Sequence, residues 1–216
     1  MSQITLTFDN GPTEAVTPHV LAVLARNGIK STFFVLGKNI QDGVTRALMQ
    51  RAHEEGHWIG NHTFAHEVPL GESADPRASE NEIGATQLLM GHAAHRDKFF
   101  RPFGGGGELG PHLLSPQAYD YLQSGAYTCV LWNSIPRDWD DPDGWVATAL
   151  HQYSMLDRAL TVLHDYETGA MRDLERFIDQ ALTAGHSFTQ EFPPECVPMV
   201  RGVPVLPMDS FIRKPA

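Results

Sequence analysis

Carboxylate, amide and imidazole side chains follow several short apolar segments of this sequence. Asp9 and Asn10 come directly after residues 4–8, which alternate and include β-branched residues as strands do. Gly11 and Pro12 prevent the strand from continuing, so the carboxylate and the amide are predicted to lie in a turn at its carboxyl end. That edge of a strand–helix repeat fold is where ligands bind. The alternative is a turn that only caps the next helix.

A histidine pair follows a later predicted strand. His62 and His66 are four residues apart. On one helical turn, both imidazoles would face a single point, as a divalent metal with bonds of about 2 Å requires. The alternative is a pair of surface or capping histidines, since a chain with 11 histidines contains such pairs by chance. We interpret His92 and His95, inside the predicted helix 78–95, as part of a solvated helix face.

Further candidate residues lie at or after other predicted strand ends. Arg101 can clamp a buried carboxylate with its planar guanidinium, with an ordinary surface charge as the alternative. Trp139, beside Asp138 in an acidic loop, can wall a pocket or belong to the core. His164 ends an apolar segment. If the sheet closes into a barrel, these side chains gather with Asp9 at one face.

Three other patterns are weaker. Residues 104–107 are all glycine, but the Gly-Lys-Ser/Thr of a phosphate-binding P-loop does not follow them. Asp140, Asp141 and Asp143 resemble part of a calcium loop without its later glutamate, so we interpret them as solvated turn residues. A Gly-x-Ser-x-Gly element is absent, which counts against a serine hydrolase.

Strand-like and helix-like segments alternate along the chain and form roughly seven units, which predicts an α/β fold whose parallel sheet closes into a barrel or stays open. Predicted strands cover 4–8, 31–36, 58–60, 98–101, 127–132, 159–163 and 187–189, and predicted helices 14–26, 43–55, 78–95, 115–124, 145–153 and 172–184.

Composition limits the classes of partner. With 42% hydrophobic and 19% charged residues, the 216-residue chain is predicted to form one globular domain over residues 1–190, on which the proline-rich residues 191–216 pack. A net charge of -10 argues against nucleic acid and anionic membranes as partners. The sequence contains no apolar run of about 20 residues and no leader, so we expect a cytoplasmic protein. Cys129 and Cys196 are predicted to be free thiols rather than a disulfide framework.

Five segments together resemble the ordered motifs of the polysaccharide deacetylases, the NodB-homology group of carbohydrate esterase type. The segments are residues 7–12, 62–66, 101–104, 138–139 and 162–164, and the resemblance covers roughly residues 4–190. It implies a distorted (β/α) barrel of about seven parallel strands with a metal-dependent deacetylase site.

By this resemblance, Asp9 is the general base that deprotonates a metal-bound water, and Arg101 orients Asp9 and keeps it ionised. Asn10, His62 and His66 are the implied metal ligands. Two imidazoles and one oxygen suit zinc best, with cobalt or nickel as alternatives.

The remaining implied roles concern proton donation and the substrate. His164 is the general acid for the departing amine, and Asp138 tunes it. Trp139 and Val162 wall the pocket for the acetyl methyl group, and the backbone N–H of Phe103 holds the oxyanion. Val162 is smaller than the leucine often found there, which enlarges the acyl pocket.

One departure from the family pattern concerns the implied metal ligands. The usual Asp-Asp pair is Asp9-Asn10 here, so a neutral amide replaces the expected metal-binding carboxylate. The metal is then held through Asn10 with lower affinity, or through another ligand such as water, or the site is empty and non-catalytic.

We therefore predict a metal-dependent hydrolase of carbon–nitrogen bonds that deacetylates an N-acetylated sugar or a small amide. The first alternative is a catalytically silent carbohydrate-binding homologue. Asp9, Arg101, Asp138 and His164 count against it, because binding alone needs no acid and no base. A phosphate or nucleotide binder rests on the glycines alone. The sequence does not indicate the oligomeric state.

Overall fold

The computed structural model describes residues 1–214, which form nine strands in one sheet and six α-helices. The strands are β1 Gln3–Asp9, β2 Thr32–Val35, β3 Trp58–Asn61, β4 Phe99–Phe100, β5 Thr128–Cys129, β6 Arg158–His164, β7 Ser187–Thr189, β8 Met199–Val200 and β9 Val203–Pro204. The helices are α1 Thr17–Arg26, α2 Gly43–Glu54, α3 Ala85–Met90, α4 Pro116–Ser124, α5 Trp145–Tyr153 and α6 Leu174–Thr183. None of the helices in residues 1–214 has the length and apolar character needed to cross a membrane.

The sheet curls into a distorted barrel around β1. Strands β6, β1, β2, β3, β4 and β5 are parallel neighbours in that order. Along one edge of β1, β7 pairs with its first residues and β2 with its last. A parallel bridge between Ser134 and Thr161 joins the chain after β5 to β6 and closes the ring. The predicted barrel is confirmed.

Side-chain alternation on β1 separates two layers. Ile4, Leu6 and Phe8 belong to the core cluster that also contains residues of α1, α5 and α6. Thr7 and Asp9, on the opposite face, are buried as well. Since period-2 alternation places them together, the barrel interior receives a hydroxyl and a carboxylate at the carboxyl end of β1.

The predicted helix 78–95 is wrong as a single element. Ser79–Gly84 forms a π-helical turn, α3 ends at Met90, and Gly91 has a positive φ of 54°. His92 is therefore exposed in a short 3₁₀ turn, and His95 follows that turn with its ring stacked on Phe99 at a centroid distance of 3.9 Å. Neither histidine lies mid-helix; His92 is exposed and His95 is half-buried.

The tail forms a hairpin that the sequence did not predict. β8 runs antiparallel to β5, and β9 runs antiparallel to β8. Cys196 and Met199 are buried in the second core cluster together with Cys129. Both cysteines are free, as predicted. β5 is shorter than the predicted strand 127–132, because the chain beyond it turns towards β6.

Candidate active site

The end of β1 leads into a tightly packed turn. Asn10 adopts a left-handed conformation with φ of 71°. Its carbonyl oxygen accepts a hydrogen bond from Asn39 Nδ2 at 2.8 Å. A Cβ atom at Gly11 would overlap the carboxylate of Asp165, so only glycine fits this position without rearrangement. Burial raises the pKa of Asp165 to about 7.

A fully buried guanidinium holds the carboxylate of Asp9. Arg101 Nη1 donates to Asp9 Oδ1 at 2.8 Å and to Thr7 Oγ1 at 2.7 Å. Its Nε and Nη2 donate to the carbonyl oxygens of Val130 and Leu131, both at 3.3 Å. Burial lowers the pKa of Arg101, and the adjacent Asp9 carboxylate opposes that shift. The pair therefore compensates two buried charges while it fixes the orientation of Asp9.

His62 approaches the other oxygen of Asp9, and His66 lies beside His62. His62 Nδ1 must donate to the carbonyl oxygen of Arg101 at 2.9 Å, because a carbonyl only accepts. Nε2 of His62 then carries a lone pair and lies 3.5 Å from Asp9 Oδ2. The His66 ring lies 4.9 Å from that of His62. Burial lowers the pKa of each histidine to about 3, so both imidazoles are neutral near pH 7.

The two histidines converge for a different reason from the predicted helical turn. Residues 62–66 form an irregular loop in which Thr63 and His66 have positive φ angles of 71° and 55°. The expectation of a helix was therefore wrong. The bends of this loop bring the imidazoles together.

The neutral side chains at this point fit a divalent metal. Asn10 Oδ1 is buried and has no hydrogen-bond partner among the described residues. A buried oxygen without a donor is uncommon and suits an electropositive ligand. Asn10, His62 and His66 line one pocket, and their amide and imidazole groups would hold a metal there, although no group of three or more His, Cys, Asp or Glu side chains within residues 1–214 is arranged to hold one.

His164 and Asp138 form the second charged pair. His164 Nδ1 lies 2.8 Å from Asp138 Oδ1, and the backbone N–H of His164 donates to Asp138 Oδ2 at 2.9 Å. Burial lowers the pKa of His164, but the carboxylates of Asp138, Asp9 and Asp165 together outweigh burial, with Asp138 contributing most of the three, and the pKa lies above its ordinary value. Trp139 packs edge-on against the His164 ring at 4.9 Å. The geometry suits a histidine that carries and releases a proton.

A pocket of about 140 Å³ joins these groups. Of the residues singled out from the sequence, it is lined by Asp9, Asn10, His62, His66, Phe103, Trp139, Val162 and His164, together with glycines 104–107. Arg101 and Asp138 are not among the lining residues and act on the pocket through Asp9 and His164.

Sequence reasoning missed three further lining residues, Trp132, Ile135 and Tyr166. Trp132 lies inside an apolar segment of the sequence, where nothing marks it as a pocket residue. Its Nε1 donates to the carbonyl oxygen of Gly107 at 2.8 Å and so ties down the glycine loop. Tyr166 could have been found, because it lies two residues beyond His164.

Comparison with known proteins finds a matching sequence profile and relatives of similar sequence. The sequence profile described as polysaccharide deacetylase matches residues 2–124. A chitooligosaccharide deacetylase of Rhizobium leguminosarum bv. trifolii is 33% identical over 166 residues, which are 75% of this chain and 71% of that protein. The peptidoglycan-N-acetylglucosamine deacetylase PgdA of Listeria monocytogenes is 27% identical over 187 residues, 86% of this chain, and the match spans only 37% of that longer protein.

A solved structure shares the fold. The family 4 acetyl xylan esterase from Clostridium thermocellum, in complex with a cobalt ion, superposes with a TM-score of 0.69 at 25% identity over 87% of each chain. The curled barrel is therefore common to this chain and to a protein solved with a bound cobalt ion.

Proposed function

The chain belongs to the polysaccharide deacetylase family, and we propose that it uses a divalent metal ion to hydrolyse the N-acetyl group of an acetylated amino sugar. One observation carries the proposal. Two charged pairs, Asp9–Arg101 and His164–Asp138, meet at one pocket beside the neutral side chains of Asn10, His62 and His66. A base and an acid placed around one carbonyl are what amide hydrolysis needs.

Asn10, His62 and His66 would hold the metal, with zinc favoured by the ligand types and cobalt or nickel as substitutes. A metal bound there would lower the pKa of water towards about 7 and would polarise the acetyl carbonyl. Because Asn10 contributes no negative charge, we expect weaker metal affinity than a carboxylate would give.

Asp9 accepts the proton of the attacking water. Its Oδ1 is occupied by Arg101, which leaves Oδ2, on the side of His62, as the proton acceptor. The new carbon–oxygen bond forms the tetrahedral adduct, whose developing charge is stabilised by the backbone N–H of Phe103.

His164 completes the reaction. Its imidazolium, maintained by Asp138, protonates the amide nitrogen as the carbon–nitrogen bond breaks. The free amine leaves with acetic acid, which ionises to acetate. Asp9 returns its proton to solvent and His164 takes one up, so both groups regain their starting protonation states. Trp139 and Val162 border the pocket that receives the acetyl methyl group.

The test is acetate release from N-acetylglucosamine oligomers by the chelator-treated protein, with and without zinc or cobalt. We expect activity only after metal is added, and loss of that activity in Asp9→Asn at nearly unchanged metal content. Asp140→Asn changes an exposed acid of the nearby loop and serves as the control. Sugar binding without acetate release at saturating metal would refute the hydrolase proposal and favour a silent carbohydrate-binding protein.

A further inference from the structure

The loop that carries the two pocket histidines is held by a carboxylate from elsewhere in the fold. Glu82 Oε2 accepts hydrogen bonds from the backbone N–H groups of Phe64 and Ala65 at 2.8 and 2.9 Å. These are the two central peptides of the segment from His62 to His66. Hydrogen bonds from N–H groups to an ionised carboxylate are shorter and stronger than neutral ones, so Glu82 clamps the middle of this loop.

The loop needs such a clamp because its backbone is strained. Thr63 and His66 both adopt the left-handed region, which side chains other than glycine enter at a cost. Conformations of this kind persist only where surrounding contacts over-determine them. Without the carboxylate, the two central N–H groups would lose their partner on the protein side.

The same π-helical turn, Ser79–Gly84, anchors the start of the loop as well. The Ile83 carbonyl oxygen accepts from Asn61 Nδ2 at 2.8 Å, and Asn61 Oδ1 accepts from the Thr63 N–H at 3.0 Å. A π-turn adds one residue to a helix and changes where its side chains point, and such turns are frequent at functional sites. In this protein, the π-turn places the Glu82 carboxylate against the loop, and the Ile83 carbonyl oxygen of the same turn binds the Asn61 side chain.

On the side of the loop opposite Glu82, two backbone N–H groups also hold it in place. Gly37 and Lys38 donate their N–H groups to the carbonyl oxygens of Thr63 and Phe64 at 3.0 and 3.1 Å. The peptides between the histidines are therefore held from both directions, by backbone donors on one side and by Glu82 on the other.

We propose that Glu82 is a positioning residue for metal binding, whose carboxylate fixes the Phe64–Ala65 peptides so that His62 and His66 converge on one ion. This inference rests on the proposed function, because it assumes that the two histidines bind a metal. Glu82 itself is not among the residues that line the pocket.

The test compares cobalt binding by wild type, Glu82→Gln and Glu82→Ala, followed by the visible absorption of bound Co²⁺. Glu80→Gln is the matched control, since Glu80 lies on the same π-turn with its side chain 60% exposed. We expect Co²⁺ affinity to fall about 10- to 100-fold in the Glu82 variants, with an altered absorption band and no change in the control. Thermal unfolding of the metal-free proteins measures stability separately.

The outcomes are distinct. Wild type that binds no Co²⁺ refutes the proposed function and this inference with it. Wild-type affinity and spectrum in both Glu82 variants refute the inference alone, and a lowered unfolding temperature without a change in Co²⁺ binding shows a merely structural role. If either variant fails to fold, Glu82→Asp is measured instead. This change keeps the negative charge but shortens the side chain by one methylene. Unchanged Co²⁺ binding in Glu82→Asp would refute the inference.

Discussion

The Asp9–Arg101 pair can be tested without any assumption about catalysis. Arg101→Met removes a fully buried guanidinium and leaves the Asp9 carboxylate, 3% exposed, without its counter-charge. Breaking a buried ion pair from one side costs about 3–5 kcal/mol. Three further acceptors, Thr7 Oγ1 and the carbonyl oxygens of Val130 and Leu131, lose a donor at about 1 kcal/mol each. We expect a total destabilisation of roughly 6–8 kcal/mol.

A double variant separates the energetic effect of the buried charge from that of the lost packing. Asp9→Asn keeps the shape of the side chain and removes its charge, so the double variant Asp9→Asn/Arg101→Met buries no uncompensated charge. We expect it to be more stable than the sum of the two single changes predicts, by a coupling energy of about 2–3 kcal/mol.

Urea unfolding followed by tryptophan fluorescence measures all four proteins, and equal m values show that they unfold from comparable native states. The exposed pair Arg26–Glu175, whose side chains are 53% and 46% exposed, serves as the control cycle with an expected coupling below about 1 kcal/mol. Additivity of the Asp9 and Arg101 changes to within about 0.5 kcal/mol would contradict the reasoning, because the pair would then not be energetically coupled.

Three further predictions follow from the site. Asn10→Asp supplies the missing charge and should tighten Zn²⁺ binding in a calorimetric titration; unchanged affinity would place Asn10 outside the ligand set. Asp138→Asn removes the carboxylate that contributes most to raising the pKa of His164. The imidazolium then persists over a narrower pH range, and the alkaline limb of the activity profile should move to lower pH; an unmoved limb would exclude His164 as the acid. Gly11→Ala forces a methyl group onto the Asp165 carboxylate and should lower the free energy of unfolding by about 1–3 kcal/mol in urea, whereas wild-type stability would show that the turn can move.

The residue pattern predicted a strand–helix repeat, and the family resemblance implied that its parallel sheet closes into a barrel. The apolar residues 4–8 and the Gly11-Pro12 stop placed Asp9 correctly at the carboxyl end of β1. The alternation of strands and helices then required a parallel sheet whose ends meet. That reasoning brings Arg101 and His164 to the same edge although they are far apart in the chain.

Other features depend on tertiary contacts that no local pattern encodes. The π-turn before α3 has the composition of an ordinary helix, so the segment 78–95 was predicted as one helix and Glu82 was not recognised. The convergence of His62 and His66 was attributed to helical spacing, whereas hydrogen bonds from distant residues bend the loop. The pocket residue Trp132 was assigned to a strand, because its role depends on a hydrogen bond to Gly107 in the loop after β4.

The strand pairings that close the barrel around the pocket differ in length. β1 and β6 pair along seven residues, whereas the bridge at Ser134 rests on hydrogen bonds at 3.2 Å to Leu160 and 3.1 Å from Val162. A strand pairing held by few hydrogen bonds opens at lower free energy than a long pairing. Amide protons at the Ser134 bridge should therefore exchange with solvent before those in the middle of β1. Local opening is therefore expected first around Ser134, whereas Asp9 and Val162, which pairs with Thr7, lie on the long β1–β6 ladder.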